Sequence, residues 1–438
     1  MAEQGDSGSF SCRSGSHRQR RGQATWRNKD FTTNFVAKKL EALNGVCKVL
    51  REVNNAQIEF ALFRGCLSYN KINHLLRTCP PDLLQEALVQ FDDHFHNMVA
   101  EILRVPCLTE EQWDQASLPV KLAGLGVNQT KVIAASAYVG SCTLTQELVA
   151  ALLGVDADTF EPTGVSALLS AHEDATGKAH TWASLCSEKA VQQTLSTERH
   201  TALFDHLKAQ STPRSHNLLL ACSMPHASDW LLAPPIPGLG LSLQSDVFRT
   251  ALKFRLGVPL FDTPFPCPAR DGDGKGCGSQ MDVFGDHAPC CHYGPSLVFR
   301  HNNVRDILGH SARGAGLAAV VIEKKNQIAG SNEKPGDITV QQYHRGFATS
   351  AFDVTVTHPL SLIRCRKNFS KLRWRRLVWW QRKLTSESWR SHSMCARKQT
   401  FLLYRWLGNR QEARPRLCMR RFASGLSWRV LEEVTPRT

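Results

Sequence analysis

The sequence of 438 residues predicts an α+β fold. A mostly helical region spans residues 31–260, where apolar residues recur at helical spacing. A cysteine- and histidine-rich element follows at 261–295. Short apolar segments that carry acidic residues then predict a small α/β core at 296–372. The N-terminal arm, 1–30, is basic, and so is the irregular, Arg/Trp-rich tail at 373–438.

The N-terminal arm has no hydrophobic signal core. We expect it to be disordered, either as a solvated tail or as a segment that contacts nucleic acid or directs the protein to the nucleus. No apolar run approaches the ~18 residues that a membrane span needs, so no membrane partner is predicted. Fifteen cysteines in a long chain without a secretory signal favour a reducing nucleus or cytoplasm. The basic residues of the arm are Arg13, Arg18, Arg20, Arg21, Arg27 and Lys29.

Two long segments support the helical prediction. The first, NKDFTTNFVAKKLEALNGVCKVLREV, begins at a plausible cap and has an amphipathic apolar stripe. The second, PPDLLQEALVQFDDHFHNMVAEILR, begins with prolines suited to a helix start. The segment 108–130 contains Gly124 and Gly126 and predicts a turn-rich joint. The best linker candidates lie at 162–177 and 234–240.

Four potential zinc ligands have the spacing Cys-x9-Cys-x9-His-x3-Cys. They are Cys267, Cys277, His287 and Cys291. Three thiolates and an imidazole can close a tetrahedral structural zinc site. The first pair is separated by PARDGDGKG, which is typical of an inserted loop. Cys290 could replace Cys291, and His292 is a further candidate. Ordinary reduced cysteines in a loop-rich segment are the alternative interpretation.

Three acidic residues follow on segments that resemble strands. After a helical segment with Val304, Ile307, Leu308, Ser311 and Ala315 at helical spacing, the chain runs through LAAVVIE, KPGDITV and SAFDVTVTHPL. These segments carry Glu323, Asp337 and Asp353. The predicted order is therefore one helix and three strands.

Asp353 lies within a Phe/Val strand pattern, where burial of a charge is costly unless it is paired or bound to metal. Carboxylate oxygens from adjacent strands are ligands that magnesium prefers, and the ion can activate a water for attack on phosphate. We therefore expect Asp337 and Asp353 to share a magnesium ion. Glu323 would be a third acidic ligand, or would contact the ligands without binding the ion itself. In the alternative interpretation Asp353 lies on the wet face of an edge strand and Asp337 shapes a turn.

The order of C…C…GDH…C, RHN, KPGD and DVTVTHPL resembles the C-terminal part of non-LTR retrotransposon proteins that carry a restriction-like endonuclease. In that family a Cys/Cys/His/Cys zinc motif precedes a nuclease of the P-D…(D/E)-x-K type. Four upstream segments resemble the thumb and linker that follow the polymerase core, and the likeness covers roughly 35–372. They are INHLLRTCPPDL, SLPVKLAGLGVNQ with AASAYVGSC, ASDWLLAPP and FRTALKFRLGVPL.

The resemblance assigns roles to individual residues. It implies that Asp337 is the Asp of the P-D motif, with Gly336 inserted after the proline, and that Asp353 is the second acid. Thr355 stands where the family motif has lysine. Since the family can supply that lysine from the following helix, Lys367 and Lys371 are the candidates for stabilising charge on the phosphate or steering the water.

The family's polymerase needs an aspartate pair in its palm, and no Tyr/Phe-x-Asp-Asp motif occurs here. The Asp92-Asp93 pair lies in a helical segment instead. Reverse transcription by this chain alone is therefore not expected. The resemblance implies a magnesium-dependent DNA endonuclease that nicks target DNA. Its implied partners are DNA, element RNA and a polymerase-bearing element protein. The alternative is a non-catalytic, zinc-containing nucleic-acid-binding remnant.

The basic charge is concentrated in the tail. Residues 361–438 contain 20 Lys and Arg against 4 Asp and Glu, whereas residues 1–360 contain 33 against 35. Arginine interleaved with tryptophan suits binding to single-stranded nucleic acid. It is also what translation in a shifted reading frame gives. In either case we expect loose packing, because such a segment cannot form one apolar face. Its tryptophans are Trp374, Trp379, Trp380, Trp389, Trp406 and Trp428.

Overall fold

A computed structural model of the chain describes a continuous stretch from residue 29 to 293 and a series of shorter segments after it. Those segments and single positions are 296–317, 319–323, 325, 334, 336–341, 343, 349–354, 356, 358 and 360. Residues 1–28, Lys367, Lys371 and the tail at 373–438 lie outside the described residues, and so do the predictions made for them.

The described part of the chain is mostly helical with small antiparallel sheets, as the α+β prediction requires. Every residue from 29 to 260 is described, and no β-strand occurs there. The helices of that region are α1 (Lys29–Glu52), α2 (Ala56–Leu62), α3 (Asn73–Thr78), α4 (Gln85–Leu103), α5 (Glu110–Ser117), α6 (Thr130–Leu153), α7 (Val165–Thr176), α8 (Trp182–Cys186), α9 (Val191–Gln210), α10 (Pro213–Cys222), α11 (Asp229–Leu232) and α12 (Ser245–Arg255).

The strands lie further along the chain. A two-stranded sheet pairs β1 (Phe265–Pro266) with β2 (Gln280–Met281). After α13 (Ser296–Gly314), a three-stranded antiparallel sheet has the order β3 (Val321–Ile322), β4 (Ile338–Gln341) and β5 (Thr349–Phe352). The strands β3 and β5 contain fewer residues than the apolar segments LAAVVIE and SAFDVTVTHPL predicted.

The chain divides into two compact units. Of the described residues, the first unit contains those within Met1–Pro119 and Gly126–His206, and the second contains those within Val120–Leu125 and Leu207–Thr438. The short segment that belongs to the second unit falls within the turn-rich stretch predicted at 108–130.

An aromatic core organises the first unit. Phe91 and Phe95 lie one turn apart on α4, their rings stack with centroids 6.3 Å apart, and Phe63 meets Phe95 edge to face at 6.1 Å. The neighbouring Asp92 is also buried, and its carboxylate accepts hydrogen bonds from the amides of Thr130 (2.6 Å) and Lys131 (3.2 Å). Asp92 therefore caps the start of α6, where a negative charge is favourable.

In the second unit, a buried arginine connects α12 to other segments. The Arg255 side chain is 3 % exposed and donates hydrogen bonds to the carbonyls of Gly124 (3.1 Å) and Val120 (2.9 Å) and to Ser228 Oγ (2.8 Å). Burial lowers the pKa of Arg255. The planar guanidinium can satisfy three acceptors at once, and its rigid geometry holds the segment Val120–Leu125 against the unit to which it belongs.

The α13 helix packs on the three-stranded sheet. Val304, Leu308 and Ala312 face the buried strand residues, whereas Ile307 is exposed, which corrects its predicted place on the apolar face. Gly309 permits this approach, because a Cβ there would lie 2.5 Å from Ile322 Cδ1. The sheet core consists of Val320, Ile338, Val340, Phe352 and Val354.

We expect Arg255→Lys to lower the free energy of unfolding by about 2–4 kcal/mol, because a lysine cannot reach all three acceptors and leaves buried carbonyls unsatisfied. Urea denaturation measures the change. Arg270→Lys is the control, since Arg270 is exposed and its guanidinium donates one bond, to the Gly274 carbonyl. Equal effects of the two substitutions would contradict the role of Arg255.

His358 makes the second unit sensitive to acid. Its side chain is buried against Phe254, and its Nδ1 has no hydrogen-bond partner among the described residues. Burial lowers the pKa of His358 from 6.5 to about 4. The unfolded chain therefore takes up a proton first as the pH falls, so stability is full above pH 6.5 and declines toward pH 4.

Acidification from pH 7 to pH 5 should therefore cost about 1–2 kcal/mol through His358. Denaturation midpoints measured across this range in wild type and His358→Gln give the contribution, which the substitution should remove. His310→Gln is the control because His310 is exposed on α13. An unchanged pH dependence in His358→Gln would refute the assignment.

Candidate metal centre and carboxylate site

The four predicted zinc ligands converge. One ligand atom from each of Cys267, Cys277, His287 and Cys291 lies within 4.8 Å of all the others. The Sγ atoms of Cys267 and Cys291 are 3.8 Å apart, those of Cys277 and Cys291 are 3.6 Å apart, and Cys277 Sγ lies 3.4 Å from His287 Nε2. Zinc–ligand bonds of about 2.3 Å to sulfur and 2.05 Å to nitrogen require tetrahedral edges of about 3.8 and 3.6 Å. The cluster could therefore hold a metal ion.

A hairpin brings the first two cysteines together despite the long insertion between them. The Cys267 amide donates to the Ser279 carbonyl, and the Cys277 amide donates to the Ala269 carbonyl. At the tip, Asp271 Oδ1 accepts from the amide of Lys275 at 2.8 Å. The PARDGDGKG segment is therefore the end of a hairpin with both cysteines near its base.

Asp282 positions the histidine ligand. Its carboxylate accepts hydrogen bonds from the amides of Phe284 (2.8 Å), Asp286 (3.2 Å) and His287 (3.2 Å). Asp286 in turn binds Arg214 of α10 through two hydrogen bonds, of 2.6 and 2.9 Å. Sequence reasoning missed both contacts. The Asp-x-x-x-Asp-His spacing could have indicated that Asp282 accepts hydrogen bonds from the amides near His287. No sequence pattern near Asp286 indicates its contact with Arg214.

Cys291, and not Cys290, belongs to the cluster. Cys291 is 3 % exposed and its Sγ points to the other ligands. Cys290, the last residue of the 3₁₀ turn Ala288–Cys290, is not in the group. His292 is exposed and is not in the group. The structure thus selects between candidates that the spacing left open.

The cysteines differ in acidity. Hydrogen bonds with Ser279 lower the pKa of Cys277 to about 6, and burial raises the pKa of Cys291 to about 11. A metal ion that takes both sulfurs as thiolates must displace the Cys291 proton at neutral pH. Metal binding should therefore release protons and weaken as the solution is acidified.

The three predicted acidic residues lie at one end of the second sheet. Glu323 follows β3 by one residue, Asp337 precedes β4, and Asp353 follows β5. The register pairs Ile322 with Ile338 and Ile338 with Phe352, so these positions are at the same end of the antiparallel ladder. The sequence placed Asp353 within a strand, whereas the strand ends one residue before it.

Two of these acids approach each other and a histidine. Ligand atoms of His301, Glu323 and Asp337 lie within 4.8 Å of one another. Asp353 is partly exposed, and among the described residues it belongs to no such group of three. Asp337 contacts the residue that follows Asp353: its Oδ2 accepts a 2.7 Å hydrogen bond from the Val354 amide.

Cations already neutralise the two carboxylates. Lys334 Nζ lies 2.9 Å from Asp337 Oδ1 and 3.3 Å from Glu323 Oε1, and Arg305 Nη1 lies 2.5 Å from the same Glu323 oxygen. Burial alone would raise the pKa of Asp337, but the Val354 amide and Lys334 outweigh it, so the pKa lies below its usual value. The pKa of Glu323 is also below its usual value, because Arg305 and Lys334 outweigh the effect of burial. Both groups are therefore anions at neutral pH.

Comparisons with known proteins identify no family. No protein-family profile matches the chain, and no curated protein is significantly similar to it. Among the described residues, no helix is both long enough and apolar enough to cross a membrane.

We expect Cys291→Ser to lower the bound metal by about one ion per chain, because a structural site needs all four ligands. Elemental analysis of protein dialysed against a weak chelator measures the content. The adjacent Cys290→Ser is the matched control and should keep its metal. Loss in Cys290→Ser with retention in Cys291→Ser would show that the ligand set is different.

Proposed function

We propose that this chain is a retroelement-derived, magnesium-dependent DNA endonuclease that contains a structural zinc ion. The observation that carries the proposal is the meeting of Glu323 and Asp337 at one end of a sheet, in the same unit as the Cys3His cluster. The order of these two sites along the chain agrees with the resemblance to the restriction-like endonucleases of non-LTR retrotransposons.

Zinc suits the Cys3His cluster. Three sulfurs and one imidazole are a soft donor set that favours zinc over magnesium or calcium, and the separations between ligands are close to those of a zinc tetrahedron. Four protein ligands leave no coordination position for a substrate. We therefore assign zinc a structural role, in which it closes the hairpin onto His287 and Cys291, the two residues that flank the 3₁₀ turn.

The carboxylate site offers oxygen ligands for a hard divalent ion from two of its three grouped side chains. Asp337 and Glu323 would supply oxygen ligands, and magnesium bound there would orient and activate a water for attack on a phosphodiester. Asp353 lies at the same end of the ladder and is the third oxygen donor that we propose. Lys334 now contacts both carboxylates, and after its displacement its charge would remain close to a bound phosphate.

A second candidate function is nucleic-acid binding without cleavage. It is favoured by two observations: Asp353 is outside the group that His301, Glu323 and Asp337 form, and Lys334 with Arg305 already balances the charge of the two grouped carboxylates. In that case the zinc element and the basic residues of the tail would remain functional while the cleavage site would not.

Nicking of supercoiled plasmid decides between the two candidates. The first predicts relaxation that requires magnesium, is abolished by EDTA, and falls by at least about tenfold in Asp337→Asn and Asp353→Ala, because each change removes a proposed metal ligand. Gel electrophoresis of time courses measures the rates.

Asp246→Asn is the matched control for this experiment. Asp246 lies at the exposed start of α12, and its side chain pairs only weakly with Arg249 at 3.6 Å. The control should nick at the wild-type rate. Plasmid binding without nicking by zinc-loaded wild-type protein would favour the second candidate. Nicking that survives in Asp337→Asn would disprove the proposed active site.

A further inference from the structure

The first unit contains another group of metal-ligating side chains, which is separate from the proposed nuclease. His172, His180 and Glu198 place one ligand atom each within 4.8 Å of the other two. His172 Nε2 lies 2.9 Å and His180 Nε2 lies 2.8 Å from the same oxygen, Glu198 Oε2. The three side chains are 7 %, 16 % and 12 % exposed, respectively. They thus direct two nitrogens and one oxygen to a common point with little access to solvent.

A buried apolar cluster fixes the backbone segments that carry these three side chains. Leu169 and Leu195 lie three residues before His172 and Glu198 on α7 and α9, and both are buried in one apolar cluster. The Trp182 ring, two residues after His180, is in the same cluster, and its Nε1 donates a 2.7 Å hydrogen bond to the Phe160 carbonyl. Side chains fixed by packing in this way lose little entropy when they bind an ion.

A turn returns the chain to the end of α7 and so brings the two histidines together. Gly177 ends the helix with φ +68°, a left-handed conformation that favours glycine. Thr176 Oγ1 then accepts a hydrogen bond from the Lys178 amide at 3.2 Å. The imidazole rings of His172 and His180 finally meet edge to face with centroids 5.6 Å apart.

We propose that His172, His180 and Glu198 bind a divalent transition-metal ion, and that zinc is the ion their donors suit best. Two imidazoles and one carboxylate are a ligand set that zinc accepts together with a water in the fourth position. A tetrahedral zinc site needs nitrogen–oxygen edges of about 3.3 Å. The observed distances are within about 0.5 Å of that edge, so small side-chain movements suffice. Each ring nitrogen that now donates to the carboxylate becomes a ligand when its proton shifts from Nε2 to Nδ1, so both imidazoles stay neutral. Imidazole nitrogen makes the site a poor one for magnesium.

Lys178 competes with the metal. Its Nζ lies 3.1 Å from the second carboxylate oxygen, Glu198 Oε1, and its side chain is 58 % exposed. The ammonium can therefore move into solvent when an ion binds, but its positive charge opposes a second cation nearby. A purely structural network of His172, His180, Lys178 and Glu198 would need Lys178, whereas a metal site would bind better without it. This opposition provides the test.

The experiment measures zinc content and cobalt(II) titrations of the full chain. Wild type should bind about two zinc ions per chain, one at the Cys3His cluster and one here, and His180→Gln should lose about one. Lys178→Ala should bind cobalt about three- to tenfold more tightly at this site, because a repelling charge is gone. Magnesium at the same concentration should not displace the cobalt.

Spectroscopy separates the two sites. Cobalt bound by cysteine has a sulfur-to-metal charge-transfer band, and cobalt bound by histidine and glutamate does not. Cys277→Ser should therefore remove the charge-transfer band and keep the cobalt absorption of the histidine site, while His180→Gln should do the opposite. Circular dichroism verifies folding, and His180 is chosen because it lies outside the helices. Wild-type metal content in a folded His180→Gln, or weaker cobalt binding in Lys178→Ala, would overturn the proposal.

Discussion

The meeting of four ligands at the base of the β1–β2 hairpin is the constraint on which the middle of the second unit depends. Each of these strands has two residues, and between 261 and 293 the buried apolar side chains are Met281 and Cys291. So little apolar burial cannot offset the entropy of ordering about thirty residues. Metal–ligand bonds can supply the missing free energy, because binding and folding are coupled in such elements.

The position of this element also affects α13 and the three-stranded sheet. Arg214 fixes Asp286 beside the ligand His287, and its guanidinium lies 3.8 Å from the centre of the Phe284 ring. On the other side, Arg300 of α13 donates a 2.8 Å hydrogen bond to the Pro289 carbonyl. The helix that packs on the three-stranded sheet is therefore also bonded, near its start, to the Cys3His element.

Electrostatics at the end of that sheet are balanced by neighbouring cations. Burial disfavours the charged forms of Asp337 and Glu323. The Val354 amide and Lys334 more than compensate for this at Asp337, and Arg305 and Lys334 do so at Glu323. The His172, His180 and Glu198 group has a similar arrangement, with Lys178 on its carboxylate. In both places an exposed or half-exposed lysine holds an anionic site together while remaining free to withdraw.

The sequence by itself determined the α+β class and much of the helical structure, because helical periodicity is a local property. The first long segment was predicted from its cap and stripe, and it forms the helix Lys29–Glu52. The ligand types and their order were equally local, and they predicted Cys267, Cys277, His287 and Cys291, with Cys290 as an alternative to Cys291. Tertiary structure removed that alternative, left Asp353 outside the carboxylate group and exposed Ile307. It also joined Arg255 to Gly124, and His172 to Glu198. Such contacts connect residues far apart in the chain, and their distances depend on how elements pack, which no local spacing encodes.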